Sequence, residues 1–204
     1  MSSTNRGAVR QEADFYATPE AAFHPLIPYL THVPKPIWEP ASGDDRLVKW
    51  MNEKAIFAQG NDLRNGYDFL KDATRRETIL TNPPFSLAQE FVDHAFSHSD
   101  HVFMLLRLNF LGAGCRRDWW RLHEPSALFV LSDRPGFVMA CKCKQTYCKH
   151  AWTVPLETER PKLCPKCGSI GNAATKHGIG ISTTDSCEYA WFAWSDKFKG
   201  IYHL

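Results

Sequence analysis

Two consecutive prolines close an apolar run and open a helical one in the stretch ILTNPPFSLAQEF, residues 79 to 91. Proline has no N–H and cannot continue a hydrogen-bonded ladder, so a strand must end at this point. Beyond Phe85, the residues Leu87, Phe91, Val92 and Ala95 recur at helical spacing and predict an amphipathic helix. A buried strand followed at once by such a helix is the front half of the strand–helix–strand unit from which parallel sheets are built.

The same alternation runs along the chain. TPEAAFHPLIPYL predicts a helix with Thr18 as N-cap and Pro19 at the first position. Ile37 to Glu39 read as a short strand running into a small-residue turn, RLVKWMNEKA as a helix and AIFAQ as a strand. HVFMLLRL follows as a buried strand, GCRRDWWRLHE as a helix, SALFVLS as a strand and EYAWFAW as a closing strand. This order predicts an α/β fold, a doubly wound and mostly parallel sheet covered on both faces. Between Gln59 and Ile79 no long helix is legible, so one strand–helix unit is reduced there.

A chain of 204 residues suits one domain with a substantial core, and its first ten residues read as a flexible tail. A formal charge of +2 leaves any nucleic-acid partner to local patches rather than to the total. The apolar runs fall far short of a membrane span and the N-terminus is polar, which points to a cytoplasmic protein with no membrane partner. Seven cysteines in such a chain argue for a reducing compartment and against a disulfide framework.

Residues 140–177 break the pattern and hold five of those seven cysteines. The knuckle CPKCG carries Cys164 and Cys167, and the upstream run CKCKQTYCKH carries Cys141, Cys143, Cys148 and His150. Four thiolates from two short hairpins make the closed tetrahedral site of structural zinc. Cys143 and Cys148 are the expected upstream pair, with Cys141 or His150 as substitutes. The segment is then a zinc-ribbon-like insertion in a domain formed by residues 11–139 and 178–204. Its position between the last two strands suits contact near the substrate side, with a stability clip or a dimer contact as the plainer alternative. Cys115 and Cys187 read as small buried apolar residues.

In parallel sheets ligands bind beyond the carboxyl ends of the strands, which is where Asn82 to Phe85 fall. Asn82 offers a carboxamide oxygen, and Pro83 a carbonyl whose direction the rings of Pro83 and Pro84 stiffen. Phe85 adds a flat apolar face. A planar base with an exocyclic amine matches this set, because two acceptors holding its N–H bonds favour a pyramidal nitrogen with an available lone pair. The plainer alternative is a proline-stopped strand whose Asn caps the next helix.

TNPPF resembles the signature of S-adenosylmethionine-dependent amino-methyltransferases, and the order of the surrounding pieces resembles small phage-type DNA adenine-N6 methyltransferases. Those pieces are DFYATP, WEPASG, NDL, DFL, LLRLNFL, RRDWW, LSDRPGF and YAWFAW. The resemblance implies a Rossmann-like sheet with an antiparallel last strand. It implies methyl transfer from S-adenosylmethionine to adenine N6 in double-stranded DNA, with Asn82, Pro83, Pro84 and Phe85 at the catalytic turn. It places Phe15, Tyr16, Thr18, Glu39, Pro40, Ala41, Gly43, Asp62, Asp68 and Phe69 around the cofactor. Phe137 would meet the flipped base, unless it is a core ring after a strand, and Arg134 a phosphate, as could Arg116, Arg117 and Arg121, for which a solvated helix face is the alternative. Asp62 also fits a turn residue, and Asp68 with Phe69 a helix start and a core ring. The chain departs from the family where a second glycine often stands, since Asp44 and Asp45 occupy that place. Methylation of RNA or of a protein glutamine would use the same turn, and a zinc-containing DNA-binding protein with an inactive enzyme fold is the rival of another class.

Overall fold

Strand β4, Val102–Arg107, shows how the sheet is built. Val102, Met104 and Leu106 join one apolar cluster, while the Phe103 ring turns towards Phe129 and Phe198. Side chains alternate across a strand, so an unbroken apolar run of this kind needs cover on both faces. The computed structural model describes residues 17–112, 114–143, 147–148, 151–155, 164–168, 171–173, 182–184 and 187–204. They divide into two bodies, one of Glu20–Pro135 with Ser186–Leu204, the other of Met1–Pro19 with Gly136–Asp185.

The first body opens with two helical turns, α1 (Glu20–Phe23) and α2 (Ile27–Leu30), rather than one helix. Pro25 and Pro28 each remove an N–H from the expected helix, and a 3₁₀ turn, His24–Leu26, joins the pieces. Then come β1 (Ile37–Glu39), α3 (Arg46–Glu53), β2 (Ala58–Gly60), β3 (Thr78–Thr81), α4 (Ala88–His98) and β4. After α5 (Arg117–Trp120) and β5 (Ala127–Val130) the chain leaves this body, and returns as β10 (Tyr189–Trp194) and β11 (Gly200–His203).

The seven-stranded sheet has the order β11-β5-β10-β4-β3-β1-β2. β1, β2, β3 and β4 pair in parallel, as do β5 and β11, and β10 runs antiparallel between β4 and β5. The expected antiparallel strand is thus EYAWFAW, and a parallel strand follows it where the sequence pattern showed none. Between β2 and β3 there are two 3₁₀ turns, Leu63–Asn65 and Phe69–Lys71, which is the reduced unit the sequence predicts. The expected helix over GCRRDWWRLHE shrinks to α5 with the 3₁₀ turn Gly114–Arg116 before it. Leu87 lies in a 3₁₀ turn and is 39% exposed, so the buried stripe of α4 is Ala88, Phe91, Val92 and Ala95.

Trp191 is fully buried on β10, and its indole N–H donates to the Ala22 carbonyl at 2.8 Å. That bond satisfies the ring's polar atom and ties α1 to the sheet; truncation of such a ring typically costs about 3–5 kcal/mol. Across the sheet Phe192 lies parallel to Trp120, with ring centroids 6.1 Å apart. Among the described residues no helix is long and apolar enough to cross a membrane.

The second body holds β6 (Gly136–Cys143), β7 (Ala151–Pro155), β8 (Gly171–Ala173) and β9 (Ser182–Thr184). β6 pairs antiparallel with the other three. The break in sequence pattern at residues 140–177 therefore falls within a small sheet of its own.

Candidate active site

The parallel strands β1, β2, β3 and β4 all end on one edge of the sheet, and the candidate residues gather there. Glu39 is the last residue of β1 and is buried, 1% exposed. The loop Pro40 to Asp45 then turns into α3. Asn61 N–H donates to the Glu39 carbonyl and Ser42 N–H to the Asn61 carbonyl, both at 2.9 Å. Gly43 N–H donates to Asp62 Oδ2 at 2.8 Å. These bonds bind the loop after β1 to the loop after β2.

Two residues of the first loop are left-handed, Gly43 at φ 58° and Asp45 at φ 61°. Aspartate is one of the few side chains that visit this region readily. Asp45 thus adopts the conformation for which a second glycine is usually used. Asp44 instead points to Arg46, whose Nε donates to Oδ1 at 2.9 Å. Gly60 ends β2 under the loop: a Cβ there would lie 2.8 Å from both Ser42 Cβ and Val48 Cγ2. Only glycine permits that approach.

Burial pushes the Glu39 carboxyl up to about 8 from an ordinary 4.5. The Thr81 hydroxyl and the Ala41 N–H oppose the rise, and the carboxylates of Asp62 and Asp45 add to it. Ala41 N–H reaches Glu39 Oε1 at 3.3 Å. Glu39 Oε2 and Ser42 Oγ are buried without a formed hydrogen bond among the described residues. Burial also acts to raise the Asp62 carboxyl, but hydrogen bonds from the Arg64 backbone and guanidinium and from Gly43 N–H outweigh it and hold it below its usual range. Asp62 thus serves as a turn residue for Arg64 N–H, at 2.9 Å, and as an anchor for the loop.

Asn82 follows β3, with Pro83 buried and Pro84 and Phe85 half-buried. The Arg107 guanidinium lies over the Phe85 ring, 4.9 Å from its centroid, and Tyr189 is tilted against it at 5.8 Å. Arg107 Nε donates to Tyr189 Oη at 2.9 Å. Arg134, half exposed, pairs with Glu188 just before β10. The sequence pattern alone gives Arg107 and Tyr189 no role at the site. The available signal was a charge at the end of the otherwise apolar run VFMLLR, which antiparallel pairing sets opposite Tyr189.

Other expected residues have different surroundings. Asp68 accepts from Leu70 N–H at 3.2 Å and pairs with Lys71 at 2.8 Å. Phe69 is 3% exposed and packs against Trp38, Phe91 and His94 as a core ring. Asp118 pairs with Arg121 at 3.2 Å and Arg117 at 3.7 Å. Those two arginines line a groove at the amino ends of β5 and β11, the opposite edge of the sheet. Arg116 covers the Phe110 ring at 4.0 Å. Thr18 and Phe137 are buried. Phe15 and Tyr16 lie outside the described residues.

In the second body Cys148, Cys164 and Cys167 come together, with sulfurs within 4.8 Å of one another. Cys143 ends β6, and its side chain and His150 lie outside what is described. Cys115 is exposed and Cys187 half-buried, contrary to the buried role expected of both. Cys115 belongs to a one-turn 3₁₀ segment that presents no face to the core.

No protein-family model and no curated protein sequence matches the chain. Among solved structures, the chain is similar to a provisionally assigned class I S-adenosylmethionine-dependent methyltransferase from Listeria monocytogenes. The match has 11% identity and a TM-score of 0.53, over 95% of this chain and 67% of that one. A provisionally assigned RNA methyltransferase from Pyrococcus horikoshii matches at 13% identity and a TM-score of 0.36, over 65% of this chain and 77% of that one. At such identity the Listeria likeness concerns the fold alone: a Rossmann-like, mostly parallel sheet in which β10 is an antiparallel member.

Proposed function

We propose that this protein transfers a methyl group from S-adenosylmethionine to the exocyclic N6 amine of adenine in double-stranded DNA. The observation that carries the reading is the Asn82-Pro83-Pro84-Phe85 turn, set at the carboxyl end of β3 beside the Glu39 end of β1 and held by Arg107 and Tyr189. Ligands of such sheets bind at this edge.

The residues present fit the cofactor. Glu39 Oε2 and Ser42 Oγ are buried polar atoms that call for a polar ligand. Glu39 suits the ammonium of the amino-acid end, and the small residues Ala41 and Gly43 let it come close. Asp62 keeps lone-pair capacity for a ribose hydroxyl beside the N–H bonds it accepts. When bound, the cofactor supplies an electrophilic methyl on a positively charged sulfur.

Asn82 Oδ1 and the Pro83 carbonyl would accept the two N–H bonds of the amine. So held, the nitrogen lone pair would be free to take the methyl as it leaves sulfur, and the surplus proton would pass to solvent. Acceptors fixed before positive charge builds on nitrogen stabilise the transition state without reorganisation. Phe85 would stack on the extruded base, since an amine inside a duplex is out of reach. Asp45 in the left-handed conformation supports an intact loop over the inactive-enzyme alternative. The Gly136–Asp185 body is read as the part that selects the DNA sequence; deleting residues 137–184 and finding the same sites methylated overturns that role.

The test is transfer of labelled methyl to DNA, RNA and protein side by side, with modified bases identified by mass spectrometry. N6-methyladenine in DNA is expected. Label confined to RNA or to glutamine moves the substrate assignment, and no binding of S-adenosylmethionine by calorimetry removes the enzymatic one.

A further inference from the structure

We infer that the Gly136–Asp185 body is organised by one structural zinc ion, held by the thiolates of Cys148, Cys164, Cys167 and Cys143. The Sγ atoms of Cys148 and Cys164 are 3.8 Å apart. A tetrahedral zinc with bonds of about 2.3 Å places its sulfurs about 3.8 Å from one another. A disulfide would join two sulfurs and leave the third of this close group without a bond, whereas a tetrahedral ion accommodates all three. Among the described residues no other group of three metal-ligating side chains comes together.

The backbone is shaped for the task. Gly168 takes φ +67°, and its N–H donates to the Cys164 carbonyl at 2.9 Å. This tight turn brings the two cysteines of CPKCG to one point, and Cys164 is 1% exposed. Backbone register favours Cys143 over Cys141 as the fourth ligand. Cys143, the last residue of β6, pairs with Gly171, three residues beyond Gly168. Cys141 lies further into the sheet, paired with Trp152 on β7 and Ala173 on β8. Four thiolates leave no open position, so the ion is structural rather than catalytic. Binding replaces the four thiol protons with one divalent cation. A body this small has little core of its own, and metal binding adds directly to its folding free energy.

The full chain, purified without chelator, should contain about one zinc per molecule by elemental mass spectrometry. Titration with an organomercurial in the presence of a chromogenic chelator should release that zinc as thiols are consumed. Cobalt in its place should show the thiolate charge-transfer band and the visible bands of a tetrahedral site. Cys164→Ser, Cys167→Ser and Cys143→Ser should lose nearly all metal, whereas Cys141→Ser, Cys115→Ser and Cys187→Ser should keep it. If the ligand variants precipitate, metal content and the cobalt spectrum of the unmodified chain decide. Zinc-free protein with freely reacting thiols, or a disulfide among Cys148, Cys164 and Cys167, would overturn the inference. Metal retained in Cys143→Ser and lost in Cys141→Ser or in His150→Ala would overturn the assignment of the fourth ligand.

Discussion

The Arg107 guanidinium stands 4.9 Å from the centre of the Phe85 ring. A cation over an aromatic face holds that face in one orientation, and Arg107 is itself tied to Tyr189 by a hydrogen bond of 2.9 Å. Phe85 is thus a positioned surface rather than a loose side chain of the turn. Phe85→Ala should therefore weaken substrate use while sparing the cofactor. Base–aromatic stacking contributes about 1–3 kcal/mol, or roughly 5- to 150-fold in kcat/KM. Steady-state methylation of DNA together with cofactor calorimetry checks this, and equal losses in both measurements would contradict it. Arg107→Ala should give a smaller loss of the same kind.

Asn82→Ala should lower kcat by about 10²–10³, the usual effect of removing one preorganised partner of transition-state charge. The affinity for S-adenosylmethionine should stay within about twofold, because Asn82 is assigned to the amine. Single-turnover methyl transfer at saturating DNA isolates the step. Unchanged kcat would remove Asn82 from the mechanism.

Glu39 makes the protein pH-sensitive in a stated direction. Its folded pKa, about 8, lies above the ordinary 4.5. The folded state then holds a proton that the unfolded state releases, so this group's stabilisation is complete below about pH 4.5 and is lost as pH rises through about 8. Glu39→Gln should flatten that part of the profile in urea unfolding and be the more stable form above about pH 8. Cofactor affinity runs the other way, because an ammonium is held by the ionised carboxylate. It should rise roughly tenfold per pH unit as pH approaches 8 from below, with proton uptake by the buffer. Calorimetry in buffers of different ionisation enthalpy detects that proton. In Glu39→Gln both the affinity and its pH dependence should fall.

Gly60→Ala tests the joint between the two loops. Its Cβ would meet Ser42 Cβ and Val48 Cγ2 at 2.8 Å, and overpacking of this kind costs about 1–3 kcal/mol. The strain falls on the loop assigned to the cofactor, so affinity for S-adenosylmethionine should fall together with the unfolding midpoint. Normal stability with normal cofactor affinity would show that the loop gives way freely.

Features that depend on neighbouring residues are legible in the sequence. The apolar runs of β4 and β10, the stop at Pro83 and Pro84, the reduced connection after β2 and the CPKCG turn each follow from the chain's own local chemistry. Pro25 and Pro28 divided a helix that periodicity alone joined, and Leu87 lost its place on the buried stripe because the 3₁₀ turn before α4 changes the phase.

Only the tertiary structure decided which distant residues meet. Asp62 receives the Gly43 N–H across 19 residues, Tyr189 meets Arg107 across 82, and Cys148 meets Cys164 across 16. It also decided that Phe69 joins the core and that Asp45 takes the left-handed position. Local conformation is set by propensities spanning a few residues. Long-range partners are chosen by strand order and register, which emerge only when the whole core is packed and the entropy of closing each loop has been overcome.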